Sequence, residues 1–211
     1  MTVTGQARRG RPRTFDRDRA LRRALDLFWQ YGYEGVAISD LTTELGIGST
    51  SLYAAFGSKR ALFDECLALY DVESAPIVRG LVAPISTRAA VEMLLRDSAS
   101  AYTSDESTAG CLLDFAASCC APENDDVRRA VEKLRKADRT AVRARLQRGV
   151  DEGDLVSCVE VDALASYLMT VLRGMSVEAR DGATRMQLER TVDLALAAWD
   201  ALAAPDGQVS D

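Results

Sequence analysis

The stretch ISDLTTELGIGSTSLYAAFGSKR, which runs from Ile38 to Arg60, decides the fold. Its apolar residues recur at helical spacing on both sides of a glycine-rich turn, at Ile38, Leu41 and Leu45 before it and at Leu52 and Phe56 after it. Gly46 suits the left-handed conformation in which helices commonly end. We therefore predict two short helices, near residues 38–45 and 49–56, that form a helix-turn-helix over about residues 37–56.

The second of these helices is rich in small polar residues of the kind that contact DNA. Hydroxyl groups can hydrogen-bond base edges and phosphate oxygens, and the candidates here are Gly48, Ser49, Thr50, Ser51 and Tyr53. Ser58 then begins another helix, with Lys59 and Arg60 in its first turn, where backbone N–H groups favour a phosphate. We predict that Ser58, Lys59 and Arg60 contact DNA, although Ser58 could equally serve only as a helix cap.

The rest of the chain is helical in pattern as well. Asp16 is a suitable N-cap for a first helix that Gly32 and Gly35 close, and the helix that Ser58 begins runs towards Pro76. Further helices are predicted near residues 87–102, 109–121, 125–150, 161–179 and 184–204. The predicted fold is all-α, with about nine helices in total and a three-helix N-terminal domain joined by a fourth helix to a C-terminal helical domain.

The chain of 211 residues divides into four parts by composition and pattern. These are a flexible basic arm (1–14), the helix-turn-helix domain (15–63), a helical body (64–205) and a frayed tail (206–211). Residues 1–63 contain 10 Lys and Arg against 6 Asp and Glu, whereas residues 64–211 contain 16 against 26. This asymmetry predicts a basic head that meets a polyanion and an acidic body with a separate role.

Several functional classes are excluded or disfavoured by what the sequence lacks. The chain has no histidine and no CxxC spacing among its 5 cysteines, which excludes a zinc finger and a His-based triad. No paired carboxylates, nucleophile motif or phosphate loop supports an enzyme, so we predict no catalytic residues, cofactor or metal. Without a run of eighteen apolar residues or a secretory signal, the protein is expected in the cytoplasm and away from membranes.

The segment from Ala24 to Tyr70 resembles the DNA-binding domain of the tetracycline-repressor (TetR) family of transcriptional regulators. The resemblance covers roughly residues 10 to 70, and the matching residues are Phe28, Gly32, Tyr33, Ile38, Leu41, Gly46, Leu52, Tyr53, Phe56, Lys59, Leu62 and Phe63. It implies a ligand-responsive regulator, most often a repressor, that binds a palindromic double-stranded DNA operator as a homodimer. A small-molecule inducer of unknown identity would release it.

The resemblance also implies roles for individual residues. Tyr53 and Lys59 would each hold a phosphate, and Thr42 or Thr43 would contact the DNA backbone from the preceding helix. Three positions depart from the pattern of the family: Ala37 replaces a Ser or Thr cap, Gly48 replaces a serine and Ala55 replaces a histidine. We expect these changes to weaken the contacts with the DNA backbone.

The basic arm offers a compensating contact. Its RRGRPR segment, from Arg8 to Arg13, contains an Arg-Gly-Arg-Pro core like that of AT-hook peptides, which lie extended in a narrow minor groove. We predict that Arg11 and Arg13 contact the minor groove beside each half-site. The alternative is a solubilising or nonspecific tail.

For the body, the resemblance implies a domain for ligand binding and dimerisation. The last two helices would pair with their symmetry mates through Leu168, Leu172, Met175, Leu188, Val192, Leu196 and Trp199, unless these residues are buried within one protomer. Candidates for a ligand pocket are Cys66, Tyr70, Leu94, Tyr102, Cys111, Phe115, Cys119 and Tyr167, each of which could instead be ordinary core.

Two alternative functions remain open from the sequence. Cys111 is predicted near a helix N-terminus, which lowers the pKa of a thiol, so the protein could sense oxidants or electrophiles. Residues Cys111 and Cys119 are too far apart on one helix to form a disulfide. The other alternative is a less specific architectural DNA-binding protein that uses the arginine arm.

Overall fold

The structure, a computed structural model, describes residues 15–105, 108–117 and 120–203. Within those residues the chain forms nine α-helices: α1 (Arg17–Gly35), α2 (Ile38–Leu45), α3 (Ser49–Phe56), α4 (Lys59–Arg79), α5 (Thr87–Tyr102), α6 (Leu112–Phe115), α7 (Asp125–Glu152), α8 (Val161–Arg180) and α9 (Arg185–Ala203). Short 3₁₀ turns cover Gly80–Val82 and Pro122–Asn124. The prediction of an all-α fold is confirmed.

The first three helices and the start of α4 share an aromatic core. The Phe28 and Phe63 rings meet edge to face with their centroids 5.1 Å apart, and Tyr33 meets Phe63 at the same separation. Such pairs add about 0.5–1.5 kcal/mol to the stabilisation that burial provides. Because α4 begins in this core and ends against the body, it belongs to both halves of the molecule.

Helix α1 is interrupted near its end rather than closed there. Gly32 has φ 71° and ψ 171°, yet the helix resumes as far as Gly35. A side chain at Gly32 would bring its Cβ within 3.3 Å of the Phe115 carbonyl oxygen. The next residue, Tyr33, donates its backbone N–H to the Ala116 carbonyl at 2.9 Å. Gly32 thus lets α1 dock directly on the α6 segment.

The body is built mainly from α5, α7, α8 and α9. The Trp199 side chain is 1% exposed and lies in a core that also contains Leu95, Leu146 and Leu168. Helix α7 is the longest, with 28 residues, and reaches the DNA-binding half at its N-terminus and the base of the body at its C-terminus. Helix α7, like α4, therefore connects the DNA-binding half to the body.

Two predicted helix boundaries need correction. The helix predicted over 109–121 is wrong, since α6 covers only Leu112–Phe115 and residues 118–119 lie outside the described part. Part of the reason is that the Ala116 carbonyl accepts from Tyr33 of α1. Helix α4 continues beyond Pro76 to Arg79, because a proline removes only one helical N–H and its helix can resume around it.

Candidate nucleic-acid interface and internal cavity

Helix α3 presents a face of hydroxyl groups to solvent. Leu52 and Phe56 are buried, at 0% and 4% exposure, and fix the helix on the core. The opposite side exposes Ser49, Thr50, Ser51 and Tyr53, the last of them 47% exposed. No residue of α3 is charged. The helix can therefore approach nucleic acid through neutral hydrogen-bonding groups.

The turn before α3 holds the two short helices in place. Gly46 lies in the left-handed region with φ 66°. Its N–H and that of Ile47 donate to the Thr43 and Thr42 carbonyls of α2. Ala37 provides no side-chain cap, as expected, but the Asp40 carboxylate accepts from the Ala37 backbone N–H at 2.8 Å. Half of a capping box therefore offsets the missing hydroxyl. Gly48 is exposed and caps α3 without a side-chain bond.

The two threonines of α2 differ in accessibility. Thr43 is exposed, whereas Thr42 is half-buried and its hydroxyl donates to the Ser39 carbonyl at 2.9 Å. That bond occupies the only proton of the Thr42 hydroxyl. Thr43 is thus the better placed of the two predicted contacts.

The start of α4 places its three predicted contacts in different settings. The Ser58 hydroxyl accepts from the Ala61 backbone N–H at 3.0 Å, as a helix cap does. Lys59 lies with its ammonium nitrogen 4.2 Å from the centre of the Tyr33 ring, and burial lowers its pKa. Arg60 pairs with Asp64 and Asp126. The DNA contact of Arg60 stays a prediction, since partly exposed ion pairs of this kind are weak and can exchange partners.

Most of the arginines of α1 are also engaged within the protein, and only Arg19 of this helix is exposed without an ion pair among the described residues. Three of them form ion pairs with glutamates: Arg17 with Glu65, Arg22 with Glu73 and Arg23 with Glu44. Uncommitted positive charge is consequently scarce around α3 in the described part of the chain. Arg11 and Arg13 lie outside the described residues, so their predicted contacts remain predictions.

A cavity of about 80 Å³ lies between helices α4 to α8. Four of the predicted pocket residues line it, namely Tyr70, Leu94, Tyr102 and Cys111. Three others do not. Cys66 is fully buried in the core of the DNA-binding half, Phe115 lies under the Arg180 guanidinium group and Tyr167 packs on the core of the body. Cys119 lies outside the described residues.

Polar groups converge on this cavity. The Tyr70 hydroxyl lies 3.1 Å from the Cys111 sulfur, and burial raises the pKa of the Tyr70 and Tyr102 hydroxyls. Burial also raises the pKa of Asp114, whose carboxylate lies 3.8 Å from the Arg173 guanidinium group. The cavity is therefore apolar in its walls but contains ionisable groups that water only partly reaches.

Cys111 does not have the environment predicted for a reactive thiol. Helix α6 is a single turn, and burial raises the pKa of the Cys111 thiol to about 12, with the Asp114 charge adding to the effect. A thiol with a raised pKa is a poor nucleophile at neutral pH, because little thiolate is present. The predicted lowering of this pKa by a helix N-terminus is thus wrong.

The cavity wall and the DNA-binding helices share contacts. The Tyr70 ring meets the Trp29 ring of α1 edge to face, with centroids 5.0 Å apart. Arg180 of α8 donates to the Trp29 carbonyl at 2.7 Å and lies 4.2 Å above the Phe115 ring. A displacement of the cavity wall would therefore reach α1 through directly packed groups.

A second set of polar contacts ties α1 and α4 to the start of α7. The Glu34 carboxylate accepts from the Ala121 backbone N–H and from the Asn124 side-chain amide, each at 2.8 Å. These bonds lower the pKa of Glu34. The Arg60–Asp126 pair adds a contact between α4 and α7. The DNA-binding half is thus anchored to the segments before and within α7.

The predicted dimer residues are buried inside one protomer. None of the seven exceeds 7% exposure: Leu168, Leu172, Met175, Leu188, Val192, Leu196 and Trp199. They pack in the core of the body, so they cannot form the surface between two copies. The opposite sides of α8 and α9 expose Val177, Leu194 and Leu202, at 45%, 74% and 62%. These outward sides, with exposed Gly174, are apolar surface that the last two helices leave open.

Some cavity residues were missed from the sequence. Ser74 of α4 lines the cavity, as do Arg135 and Asp138 of α7, but on a helix as charged as α7 such charged residues resemble a solvated face. In the described part of the chain, no helix has the length and apolar character needed to cross a bilayer. No group of three or more metal-ligating side chains is found there either.

Comparisons with known proteins agree with this arrangement. The sequence pattern described as "Bacterial regulatory proteins, tetR family" matches residues 20–66. The HTH-type transcriptional repressor ComR of Escherichia coli strain K12 is 30% identical over 198 residues, covering 92% of this chain and 93% of that protein. The HTH-type transcriptional repressor BdcR of the same organism is 30% identical over 187 residues, covering 88% and 90%.

A solved structure is more similar still. A cysteine mutant of the TetR family transcriptional regulator CifR, complexed with 26-base-pair operator DNA, is 44% identical to this chain. It superposes with a TM-score of 0.83 and covers 90% of this chain and 100% of that one. The similarity extends through the body as well as the helix-turn-helix. The chain therefore belongs to the TetR family of bacterial regulatory proteins.

Proposed function

We propose that the protein is a transcriptional repressor that binds a palindromic DNA operator as a homodimer and leaves it when a small-molecule inducer binds. The exposed hydroxyl face of α3 carries this proposal, because its neutral groups suit readout in the major groove. ComR and BdcR are described as repressors, and CifR mutants as complexes with operator DNA. A repressor of this kind acts in the cytoplasm and needs no catalytic residue.

The outward sides of α8 and α9 support the homodimer. Their exposed apolar residues, led by Leu194, lie apart from α3, the predicted recognition helix. Two copies that pair there would present two copies of α3, as a palindromic site with half-sites about 34 Å apart requires. Gly174 is exposed with no heavy atom near its missing side chain, so another helix can approach closely.

The cavity supports the inducer. Its wall includes Tyr70 of α4, and the same helix begins with Lys59 beside the recognition helix. A ligand that binds better when α4 and α6 are displaced would shift the population towards a form with altered spacing between the two copies of α3. The junctions at Trp29 and Glu34 transmit this displacement.

Replacing Tyr53 with phenylalanine should weaken operator binding by at least about a hundredfold. A hydrogen bond from a hydroxyl to a charged phosphate contributes about 1.5–3 kcal/mol, and a homodimer makes two such contacts. Because the side chain is exposed, the variant should fold normally. Fluorescence anisotropy on the DNA that the protein protects upstream of its own gene measures the effect. Tyr31→Phe, at a residue 57% exposed on α1, is the matched control and should bind as the wild type does.

Changing Arg11 and Arg13 to glutamine should reduce both the affinity for the operator and its salt dependence. Each phosphate-neutralising cation contributes about 0.9 to the slope of log K against log salt, so four arginines in a dimer predict a slope smaller by about 3 to 4. The engaged arginines of α1 leave little charge to replace them. An unchanged slope would show that the arm is only a solubilising tail. Strong binding to all DNA without a footprint would favour the architectural alternative instead.

A further inference from the structure

We propose that the inducer is a small molecule with an apolar body and one protonated amine, and that Asp138 pairs with that amine at the mouth of the cavity. The inference rests on the proposed function only in treating the cavity as the inducer site. It concerns the chemistry of the ligand, which neither the family nor the named relatives specify.

The position of Asp138 is the first step. It lies on α7 and lines both the inner cavity of about 80 Å³ and a wider outer groove of about 490 Å³ between α4 and α7. Ser74, Val78 and Leu81 line both spaces too. The two spaces therefore adjoin at Asp138, and a ligand that enters through the groove passes this carboxyl group.

The charges around Asp138 are the second step. Burial raises the pKa of Asp138 to about 6, and the charges of Asp71 on α4 and Asp114 on α6 add to this effect. No hydrogen bond or ion pair engages its carboxyl group within the described residues. The thiol and phenols of the cavity stay neutral near pH 7 because burial raises their pKa values. Asp138 is thus an acid held beside other acids without a cation.

Four of the five arginines that line the two spaces are engaged elsewhere. Arg135 donates to the Leu113 carbonyl, and Arg173 lies beside Asp114. In the outer groove, Arg145 donates to the Ile85 carbonyl at 2.6 Å and Arg148 to the Ala83 carbonyl at 2.9 Å. Arg79 is exposed at the groove. A cation on the ligand would therefore supply the partner that Asp138 lacks, and it would relieve the repulsion from Asp71 and Asp114.

The remaining walls set the size and polarity of the ligand. They are mostly aliphatic and aromatic, including Leu94, Val142 and Leu172 beside Tyr70 and Tyr102. The inner cavity is small and adjoins the wider groove, which favours a compact ligand. Aromatic rings near an ammonium group add a favourable interaction. The fitting class is a short alkyl or aryl amine.

The test compares n-butylamine, n-butanol and n-butyrate, which have four carbon atoms each and differ in charge. Binding to the full-length protein without DNA is measured by calorimetry and thermal shift at pH 7.5 and pH 5. We expect n-butylamine to bind at least tenfold more tightly than the other two at pH 7.5. The preference should shrink at pH 5, because Asp138 is then protonated and neutral. Tighter binding of n-butyrate, or equal binding of all three, would overturn the proposal.

Asp138→Asn is the decisive variant, with Asp181→Asn, at an exposed position beyond α8, as its matched control. The first should lose the preference for the amine, and the second should keep it. A carboxyl group with a raised pKa stabilises the fold less as pH rises through that pKa. Asp138→Asn should therefore raise the melting temperature at pH 7.5, with a gain that shrinks towards pH 4. An amine preference that survives in Asp138→Asn would refute the assignment, whatever the result of operator binding.

Discussion

Replacing Leu194 with glutamate is expected to convert the homodimer into monomers and to lower operator affinity by at least about a hundredfold, which corresponds to about 2.7 kcal/mol. The side chain is 74% exposed in one protomer, so the substitution leaves the fold of that protomer intact. If two protomers pair through the outward sides of α8 and α9, each would bury an unpaired carboxylate, which costs several kcal/mol. Sedimentation velocity and anisotropy with operator DNA measure the two effects.

The matched control for this change is Val82→Glu. Val82 is 75% exposed but lies in the 3₁₀ turn after α4, away from α8 and α9. The same charge at this position should leave the homodimer and its operator affinity unchanged. A homodimer that persists in Leu194→Glu would place the interface elsewhere on the body. Loss of the homodimer in both variants would point to a general effect of charge.

The helix-turn-helix was predictable because its boundaries depend on local chemistry. The predicted helices over 38–45 and 49–56 coincide with α2 and α3. Gly46 and Gly57 both have positive φ, which side-chain-bearing residues rarely adopt. Two such residues mark the ends of two helices without reference to the rest of the fold.

The dimer residues could not be predicted in the same way. Periodicity shows that a helix has an apolar side, but α8 and α9 carry apolar residues on two sides. Leu168 and Leu196 lie inside, whereas Val177 and Leu194 lie outside. The side that is buried within the protomer is set by the packing of α5 against both helices, which is a property of the tertiary structure.

The contacts of charged residues could not be predicted from the sequence either. Arg60 follows a recognition helix and is typical of a phosphate contact, yet one of its partners, Asp126, lies 66 positions away in the sequence. Asp138 lies in a helix crowded with charges and has no local feature that separates it from its exposed neighbours. Both roles depend on contacts between distant segments, so local pattern alone could not assign them.

Gly110 lies just before the segment that connects the cavity to the DNA-binding half. Its N–H donates to the Tyr102 carbonyl at 2.9 Å, and the next N–H, of Cys111, donates to the Ser176 hydroxyl at 2.9 Å. The segment that it begins includes the cavity residues Cys111 and Asp114 and ends at the Ala116 carbonyl that receives α1. A change at Gly110 therefore tests whether this segment couples the two sites.

Gly110→Ala should lower the free energy of unfolding by about 2–5 kcal/mol. Its φ of 80° costs a residue with a side chain about 1–2 kcal/mol. A Cβ would also lie 2.5 Å from the Ser176 carbonyl oxygen and 2.7 Å from the Phe115 ring, and overpacking of this kind costs about 1–3 kcal/mol more. Because the Ser176 carbonyl belongs to α8, we expect the α6 segment to move instead, carrying Phe115 and the docking site of α1 with it.

Gly153→Ala is a control that separates the conformational cost of a positive φ from the cost of overpacking. Gly153 has φ 81°, but no heavy atom lies within 4 Å of the position its Cβ would take. It should therefore lose only the conformational cost of about 1–2 kcal/mol and keep full operator affinity. Gly110→Ala, measured by denaturant unfolding and anisotropy at a temperature where both variants are folded, should bind the operator more weakly. If the two variants had the same free energy of unfolding and the same operator affinity, the α6 segment would accommodate the added methyl group without moving α1. It could then not transmit ligand binding to α1.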